Sequence, residues 1–360
     1  MYIKFKLYNL FIIIILCLFD NCNDSKSQQT IVYADIPKEY KKTVKVISTF
    51  GDNDILSRPY MIRYNKYDNK IYITDYGSNR IVVFDEELNY LTTFGRFGQG
   101  PGEFRNPTGT AFFRDGRILV FDWLNIRYQI FDQNYNHLTT FPIPAFIPPY
   151  IFHAVIDTNN IIYINAPDNG SLFTLLKDKG EELNRFGELF PIKIDSTNDN
   201  WKSWRREDSA AEYEMDDVTG QIYCAFLNHP VIKVFDSEGN IILEKDISNL
   251  GVTISRRIFT EEKRKRERKS SDEFELIMYV TDLSIDEEHV YIHHFDNINK
   301  DITEWNRLYA YSKEQLTLQK EIVLDAYIKD KYRNIIEVDF SHPDNIYALS
   351  YPNYILLYKK

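Results

Sequence analysis

The chain has very little cysteine. Only three of its 360 residues are Cys, and just one of these, Cys224, lies beyond residue 30. A lone Cys cannot form a disulfide within the chain, which excludes a scaffold held together by disulfides. Cys224 stands in the apolar stretch Ile222–Phe226, where a small buried side chain is expected more often than a nucleophile.

Positive charge is also scarce. Lys and Arg number 43 against 53 Asp and Glu, which gives a formal net charge of −10. The chain therefore lacks the basic surface of a nucleic-acid-binding protein. One basic run, Lys263–Lys269, falls in a segment, 258–274, that predicts a short helix capped by Thr260. We interpret this run as a solvated helix face, with contact to anionic lipid or a partner as the alternative.

The apolar run near the start of the chain is too short to span a membrane. Leu7–Phe19 contains 13 residues and follows Lys4 and Lys6, whereas a spanning helix needs about 20. This pattern predicts a signal peptide over 1–21, with an uncleaved anchor as the alternative. Cys22 and the polar residues after it resemble a bacterial lipoprotein signal, which implies a lipid on Cys22 and a lipidated tether over 22–42. Phe19-Asp20-Asn21 replace the small residues that such signals usually place before the Cys.

Signatures of common catalytic sites are missing too. The sequence contains no nucleophile elbow, no Ser-His-Asp order, no zinc signature and no phosphate loop. The glycine-rich stretch Gly98–Phe104 precedes a predicted strand and no helix, so it does not predict a phosphate cradle. The sequence therefore does not indicate a particular enzymatic reaction.

What the chain does contain is an internal repeat. The segment from Ile71 to Phe94 matches the segment from Ile118 to Phe141 without a gap, at a spacing of 47 residues. Each copy is built of short apolar strands separated by polar turns. A repeat of this length and composition is typical of one blade of a β-propeller.

Six such units can be counted along the chain. Their second strands begin near Ile71, Ile118, Ile162, Ile222, Val290 and Ile346, at spacings of 47, 44, 60, 68 and 56 residues. The sixth unit ends at Lys360 one strand short. The segment Thr43–Gly51 resembles the closing strands of other units, so we expect it to complete the last blade and close the ring.

The first two units resemble the NHL repeat. The matching residues are Asp75, Asn79-Arg80-Ile81 and Phe84-Asp85 in the first unit, and Gly100-Pro101-Gly102, Phe104, Pro107, Gly109, Asp115-Gly116, Asp122 and Asn125 in the second. Together with its lipoprotein-like start, the chain is similar to exported six-bladed propeller lipoproteins common in Bacteroidetes. This resemblance implies the fold and a lipid anchor. Propellers of this group include binding scaffolds, lactonases and an amidating lyase, so the resemblance selects no function.

Strand direction places the three long insertions on one face of the predicted ring. These insertions are 187–208, 250–273 and 296–306, and long loops on a rigid scaffold often carry binding sites. The loop from Asp122 and Trp123 to Arg127 lies on the same face. We therefore expect a recognition surface formed by Asp122, Trp123, Arg127, Trp201, Trp204, Arg205 and Arg206. The alternative is that Trp201 and Trp204 fold back to fill a gap on the propeller.

Two metal hypotheses accompany this surface. A propeller metalloenzyme brings one His from each of several blades to an ion, and His153, His229 and His294 fall on the third, fourth and fifth units. Alternatively, calcium binds in the central channel through acidic residues. The candidates for that site are Asp217, Asp282 and Glu337.

The sequence thus predicts an all-β protein, with a six-bladed propeller over 43–360 and one short inserted helix. We expect an exported envelope lipoprotein that acts as a binding or scaffold module without a cofactor. Its ligand is predicted to be a peptide, a glycan or an envelope protein, and its domain is expected to be monomeric. The alternative is a metal-dependent hydrolase or lyase of the lactonase or amidating-lyase kind.

Overall fold

The computed structural model describes most of the chain after residue 35. The described residues are 36–48, 55–143, 154–167, 170–190, 209–250, 253, 279–294, 306–328, 331–332, 335–350 and 354–360. The chain divides into two units, Met1–Ile31 and Val32–Lys360, and all described residues belong to the second. The predicted signal peptide, Cys22 and the predicted helix over 258–274 lie outside the described residues.

Two short strands precede the repeats, and three four-stranded blades follow. The N-terminal strands are β1 (Lys38–Lys41) and β2 (Thr43–Ser48). Blade 1 comprises β3 (Pro59–Asn65), β4 (Lys70–Asp75), β5 (Arg80–Phe84) and β6 (Tyr90–Phe94). Blade 2 comprises β7 (Pro107–Phe112), β8 (Ile118–Asp122), β9 (Arg127–Phe131) and β10 (His137–Pro142). Blade 3 comprises β11 (Val155–Ile156), β12 (Ile162–Asn165), β13 (Phe173–Leu176) and β14 (Glu182–Phe186).

The second half of the chain forms the remaining blades. Blade 4 comprises β15 (Ala211–Met215), β16 (Ile222–Phe226), β17 (Val231–Phe235) and β18 (Ile241–Asp246). Blade 5 comprises β19 (Val280–Ile285), β20 (His289–His294), β21 (Arg307–Ser312) and β22 (Leu318–Leu324). A two-stranded hairpin, β23 (Tyr327–Ile328) and β24 (Lys331–Tyr332), leads to β25 (Ile335–Asp339), β26 (Asn345–Ser350) and β27 (Tyr354–Lys359) of blade 6.

The six sheets form a closed ring, as predicted. The first strand of each blade contacts the first strand of the next, in the cyclic order β3, β7, β11, β15, β19, β25 and back to β3. Strand β2 pairs antiparallel with β27, in register from Thr43 opposite Tyr358 to Ser48 opposite Tyr354. The N-terminal strand therefore completes blade 6. Joining the two ends of the chain in one sheet closes the ring without leaving an open blade.

The N-terminal segment also makes a contact that the sequence did not predict. Strand β1 pairs in parallel with β22, as a fifth strand on the outer edge of blade 5. Lys38–Lys41 fall within 22–42, the range predicted to be a polar tether, so its last part is strand instead. Consecutive strands β1 and β2 thus lie on two neighbouring blades and link them.

Blade packing explains the composition of the strands. The second and third strands, such as β4 and β5, are almost wholly buried because each sheet is covered on both sides by its neighbours. Aromatic rings fill the space between blades. Phe173, for example, contacts Phe186 of its own blade and Phe235 of blade 4 at centroid distances of 5.2 and 5.8 Å. The high aromatic content therefore serves inter-blade packing.

A recurring aspartate shapes many of the short turns. Asp132 accepts hydrogen bonds from the backbone amides of Asn134 and Asn136, and Asp85 and Asp236 make equivalent bonds in blades 1 and 4. Among the described residues, the helical element with more than one residue is a 3-10 turn over Trp123–Asn125. Within these residues no helix has the length and apolarity needed to cross a membrane.

Candidate functional site

The strand directions give the ring two different faces. We call the turn face the side that carries connections between first and second strands and between third and fourth strands. The loop face carries the connections between second and third strands and between blades. Described turn-face connections are short, as in 66–69 and 236–240. The three long insertions follow the loop-face positions, but most of their residues lie outside the described ranges.

One loop-face connection of blade 2 lies entirely within the described residues. The 3-10 turn Trp123–Asn125 follows β8 and ends at Ile126. The amide of Leu124 donates to the Arg105 carbonyl at 3.1 Å, and the side chain of Asn125 donates to the Gly98 carbonyl at 2.9 Å. These bonds fix the turn against the glycine-rich loop between blades 1 and 2.

Asp122 and Arg127 flank this turn and lie beneath it. The fully buried carboxylate of Asp122 accepts hydrogen bonds from the Arg105 amide, Asn125 and the Arg127 Nε atom, each at 2.7 Å. The terminal nitrogens of Arg127 donate to three backbone carbonyls of the glycine-rich loop at 2.7 to 2.9 Å. These two predicted binding residues therefore hold the loop in place, and the residues above them face solvent.

Blade 1 uses the same internal pair. Asp75, which lies 47 residues before Asp122, is fully buried and accepts a hydrogen bond from the Arg80 Nε atom at 3.1 Å. Its other oxygen accepts the amides of Ser57 and Arg58 at 3.0 and 2.9 Å. The recurring Asp–Arg pair of the repeat is thus an element of the fold that positions loop-face residues.

Three large apolar side chains are exposed on the platform. Phe97, Leu124 and Ile126 have 69%, 42% and 66% of their surface accessible. Phe97 adjoins Gly98, whose carbonyl accepts a hydrogen bond from Asn125. Phe97, Leu124 and Ile126 therefore lie on two connected loops. We call Phe97, Leu124 and Ile126 the apolar platform. Exposed apolar residues grouped in this way are typical of interaction surfaces.

A stack of aromatic rings borders the apolar platform. The rings of Tyr60 and Tyr76 are 5.9 Å apart and those of Tyr76 and Trp123 are 6.2 Å apart, at interplanar angles of 29° and 32°. The guanidinium of Arg58 lies 5.2 Å from the Tyr76 ring centre. The stack leads from the inner strand of blade 1 to the 3-10 turn of blade 2. These ring contacts connect the inner strand of blade 1 to the 3-10 turn and so brace it.

Ile126 adopts a backbone conformation that its side chain disfavours. Its φ and ψ angles are 52° and 50°, in the left-handed region, where a β-branched side chain is a true outlier. The matching residue of blade 1 is Asn79, with a φ of 57°, and Asn tolerates this region far better. Ile126 is therefore strained by about 1–2 kcal/mol at an exposed position. Because backbone strain is often found at functional sites, the apolar platform is a candidate site.

Several predicted residues cannot be placed. Trp201, Trp204, Arg205, Arg206 and His153 lie outside the described residues. The predicted basic helix lies outside them as well. Of the predicted binding set, Asp122, Trp123 and Arg127 are therefore the ones that the structure brings together.

His294 and His229 lie at loop-face ends of blades 5 and 4. The His294 ring is buried, its Nδ1 atom lies 3.1 Å from the Tyr279 carbonyl, and burial lowers the pKa of this imidazole to about 3. Its Nε2 atom has no hydrogen-bond partner among the described residues. The His229 ring stacks on Phe190 at 3.7 Å. The described residues contain no group of three or more His, Cys, Asp or Glu arranged to hold a metal ion.

The central channel is rich in carboxylates. We call Glu212, Glu214, Asp282, Glu337 and Asp339 the channel carboxylates; they lie on the inner strands β15, β19 and β25. Arg63 of β3 forms an ion pair with Glu214, which lies on the opposite blade, so this pair crosses the channel. Burial raises the pKa of Glu214 to about 7 in spite of Arg63, and it raises the pKa of Glu212 and of Glu337 well above the ordinary value.

Two of the channel carboxylates join neighbouring blades. Asp282 accepts the Val338 amide at 2.6 Å, and Asp339 accepts the Tyr64 amide at 2.7 Å. Burial raises the pKa of Asp282 to about 6. Asp217, the third residue of the calcium hypothesis, lies in a turn-face connection, where it accepts a hydrogen bond from Tyr67 at 3.0 Å. The three predicted calcium ligands are therefore spread between the channel and its rim.

Comparison with known proteins supports the architecture. Residues 51–112 match a family described as "6-bladed beta-propeller". A Bacteroides fragilis protein, provisionally named an exported protein, aligns with 90% of this chain and 98% of its own at 11% identity and a TM-score of 0.54. The fold is a six-bladed β-propeller.

Two further solved structures are similar to the chain at comparably low identity. The Cps50 (Swd1) propeller domain of Myceliophteria thermophila aligns with 89% of this chain and 99% of its own, at 10% identity and a TM-score of 0.51. Virginiamycin B lyase from Staphylococcus aureus aligns with 88% of this chain and 98% of its own, at 10% identity and a TM-score of 0.49. No curated protein matches the chain. At these identities the structural similarity concerns the fold alone.

Sequence reasoning missed Arg63, Glu214, Tyr60, Tyr76 and the exposure of Ile126. A weak signal for the channel was present in Glu212 and Glu214, which alternate in an otherwise apolar strand, AEYEM. The period of 47 residues also offered a signal, because it aligns Ile126 with Asn79. Neither pattern alone identifies which side chains meet across the ring.

Proposed function

We propose that this protein is an exported, lipid-anchored binding module that docks an apolar segment of an envelope protein on its loop face. The single observation that carries this proposal is the apolar platform: three exposed apolar residues, one of them strained, on a loop fixed from below by a buried Asp–Arg pair. A preorganised apolar surface loses little conformational entropy on binding, which favours recognition. The lipoprotein-like start of the chain supports a place in the envelope.

The platform favours a protein segment over a glycan. Sugar recognition by aromatic residues uses open ring faces, whereas the Tyr76 ring is stacked on Tyr60 and packs at a tilt against Trp123. Phe97, Leu124 and Ile126 offer aliphatic and aromatic surface of the kind that anchors apolar side chains of a partner. The anchor tethers the propeller to the membrane surface, where such partners reside.

A site-specific photo-crosslinker at Leu124 of the full chain, used in cells that produce the protein, tests this proposal. We expect crosslinks to an envelope protein, and none from the same probe at Val218, which is exposed on the turn face. The captured segment is then synthesised and its affinity for the purified full chain is measured. Leu124→Asn and Ile126→Asn should each weaken binding about tenfold, and Val218→Asn should leave it unchanged. Equal affinity for all variants would refute the proposal, and glycan binding that Trp123→Ala abolishes would replace it.

A second candidate function is a metal-dependent hydrolase or lyase. It is favoured by the arrangement of His294, a neutral imidazole that donates from Nδ1 to a backbone carbonyl and leaves Nε2 without a partner among the described residues. Ligating histidines typically have this arrangement. Elemental analysis of the full chain tests it, since a bound metal ion that is lost in His294→Ala and in His229→Ala would favour an enzyme. A metal content unchanged by both substitutions would count against it.

A further inference from the structure

A cavity lies at the turn-face end of the channel, on the face opposite the one that carries the apolar platform. It has a volume of about 1080 Å³ and opens on the turn face, where its rim includes Tyr67, Asp217 and Lys313. Its inner wall includes Arg63, Thr110, Glu214 and Asp339. Binding sites for small molecules usually measure about 300–1,000 Å³. The cavity is therefore large enough for a small organic ligand.

The rim of this cavity already holds ammonium groups of the chain itself. Three lysines share one arrangement, in which the Nζ atom lies close to both an aspartate carboxylate and an aromatic ring. These are Lys66 with Asp217 and Tyr67, Lys313 with Asp216 and Tyr223, and Lys360 with Asp286 and Phe340. The measured nitrogen–oxygen distances are 2.7 Å for Lys313 and 3.0 Å for Lys360, and the three nitrogens lie 5.5 to 5.9 Å from the ring centres. The rim thus has the chemistry that recognises an ammonium ion.

The wall behind the rim has more acidic side chains than basic ones. Glu214 and Asp339 line the cavity, and the other channel carboxylates lie close enough to Arg63 to interact with its charge. Arg63 is the cation that faces all five in the described part of the channel. One guanidinium is shared among these acidic groups, and burial opposes the ionisation of Glu214 and Asp282. A cationic ligand would supply further positive charge.

Thr110 gives an independent indication of a ligand. Its side chain lines the same cavity on the inner strand of blade 2 and is 3% exposed, and its hydroxyl has no hydrogen-bond partner within the described residues. An ammonium group carries three donors and no acceptor. Thr110 of blade 2 and Glu214 of blade 4 both present oxygen acceptors to this cavity. The guanidinium of Arg63 is directed at Glu214, so an amine could supply the partner that the Thr110 hydroxyl lacks.

We propose that the channel binds a linear aliphatic polyamine through its opening on the turn face. The carboxylates are distributed over three inner strands and the rim, and within the described residues they form no compact metal site. Several ammonium groups spaced along a flexible chain match this distribution better than a single ion does. The site is separate from the apolar platform, so its test does not depend on the proposed docking function.

Isothermal titration calorimetry of the full chain with spermidine tests the proposal. Glu214→Gln should weaken binding at least about tenfold, since a hydrogen bond to a charged group contributes about 1.5–3 kcal/mol. Thr110→Val, which removes a hydroxyl without disturbing an existing bond, should weaken binding about threefold. Glu238→Gln, in an exposed turn of the same face, is the matched control and should bind as the wild type does.

A further variant separates a specific site from general charge attraction. Lys66→Met removes a resident ammonium that competes for Asp217, so spermidine should bind several-fold more tightly despite the more negative protein. Lys179→Met, at an exposed turn-face position, makes the same charge change and should have little effect. Absence of spermidine binding, equal affinity in wild type and Glu214→Gln, or full competition by Mg²⁺ at the same ionic strength would overturn the proposal.

Discussion

Replacing Arg63 with Met should destabilise the protein in a way that depends on pH. Arg63 is buried, forms an ion pair with Glu214 across the channel, and faces the other channel carboxylates. Removing one member of a buried ion pair costs about 3–5 kcal/mol because the remaining charge stays buried. This cost applies fully only while the carboxylates are ionised.

The sign of the pH dependence follows from the raised pKa values. Burial raises the pKa of Glu214 from 4.5 to about 7, so between these values the native state binds more protons than the unfolded state. The free energy of unfolding therefore falls as the pH rises through this window. The shift of about 2.5 units corresponds to about 3 kcal/mol for this one carboxyl group. Asp286, whose pKa is lowered to about 2 by Tyr291 and Lys360 against the effect of burial, acts in the opposite direction, but only at more acidic pH.

Urea unfolding followed by tryptophan fluorescence at about pH 5 and about pH 8 measures this effect. Arg63→Met should lose about 3–5 kcal/mol at the higher pH and clearly less at the lower pH, where Glu214 and Asp282 are protonated. Arg96→Met is the matched control, because Arg96 is 81% exposed and pairs with Glu103 at the surface; it should change stability by at most about 1 kcal/mol. An equal loss at both pH values for Arg63→Met would refute the reasoning.

Three other predictions concern stability and reactivity. Ile126→Asn should raise the free energy of unfolding by about 1 kcal/mol in thermal melts, because Asn tolerates the left-handed conformation; a decrease would show that Ile126 is unstrained. A chain that begins after Ser48 lacks β2, so blade 6 has an open edge and the protein should elute as aggregates from a size-exclusion column. A chain that begins at Thr43 keeps β2 and should elute as a monomer. Cys224 is fully buried and burial raises its pKa, so it should react with thiol reagents only after denaturation; rapid labelling of the native protein would contradict this.

The fold could be predicted from the sequence because its determinants are local and repeated. The second strand near Ile71 and its copy near Ile118 each follow a short turn, and the repeat period specifies the blade. The sixth unit lacks its last strand, and the segment at Thr43 belongs to no other unit. Together these two features predicted that the N-terminal strand closes the ring. Strand β1 was missed because its sequence, KEYK, is charged and exposed on the edge of blade 5, so it carries no apolar pattern.

The candidate site was harder to predict because it depends on contacts between distant residues. Asp122 and Arg127 were predicted to belong to a binding surface, but the sequence could not reveal that their polar atoms bind the backbone of the preceding loop. Arg63 and Glu214 lie 151 residues apart, and only the closed ring brings them together. Backbone strain at Ile126 is likewise a property of the turn and has no signal in composition.

The affinity of the Ile126→Asn protein for the crosslinked envelope segment decides whether the apolar platform is the docking site. We expect a variant that is more stable than the wild type by about 1 kcal/mol and yet binds the segment about tenfold more weakly. Such opposite changes would show that the strained isoleucine is kept for recognition. A variant that binds the segment as tightly as the wild type would contradict the assignment of the apolar platform as the docking site.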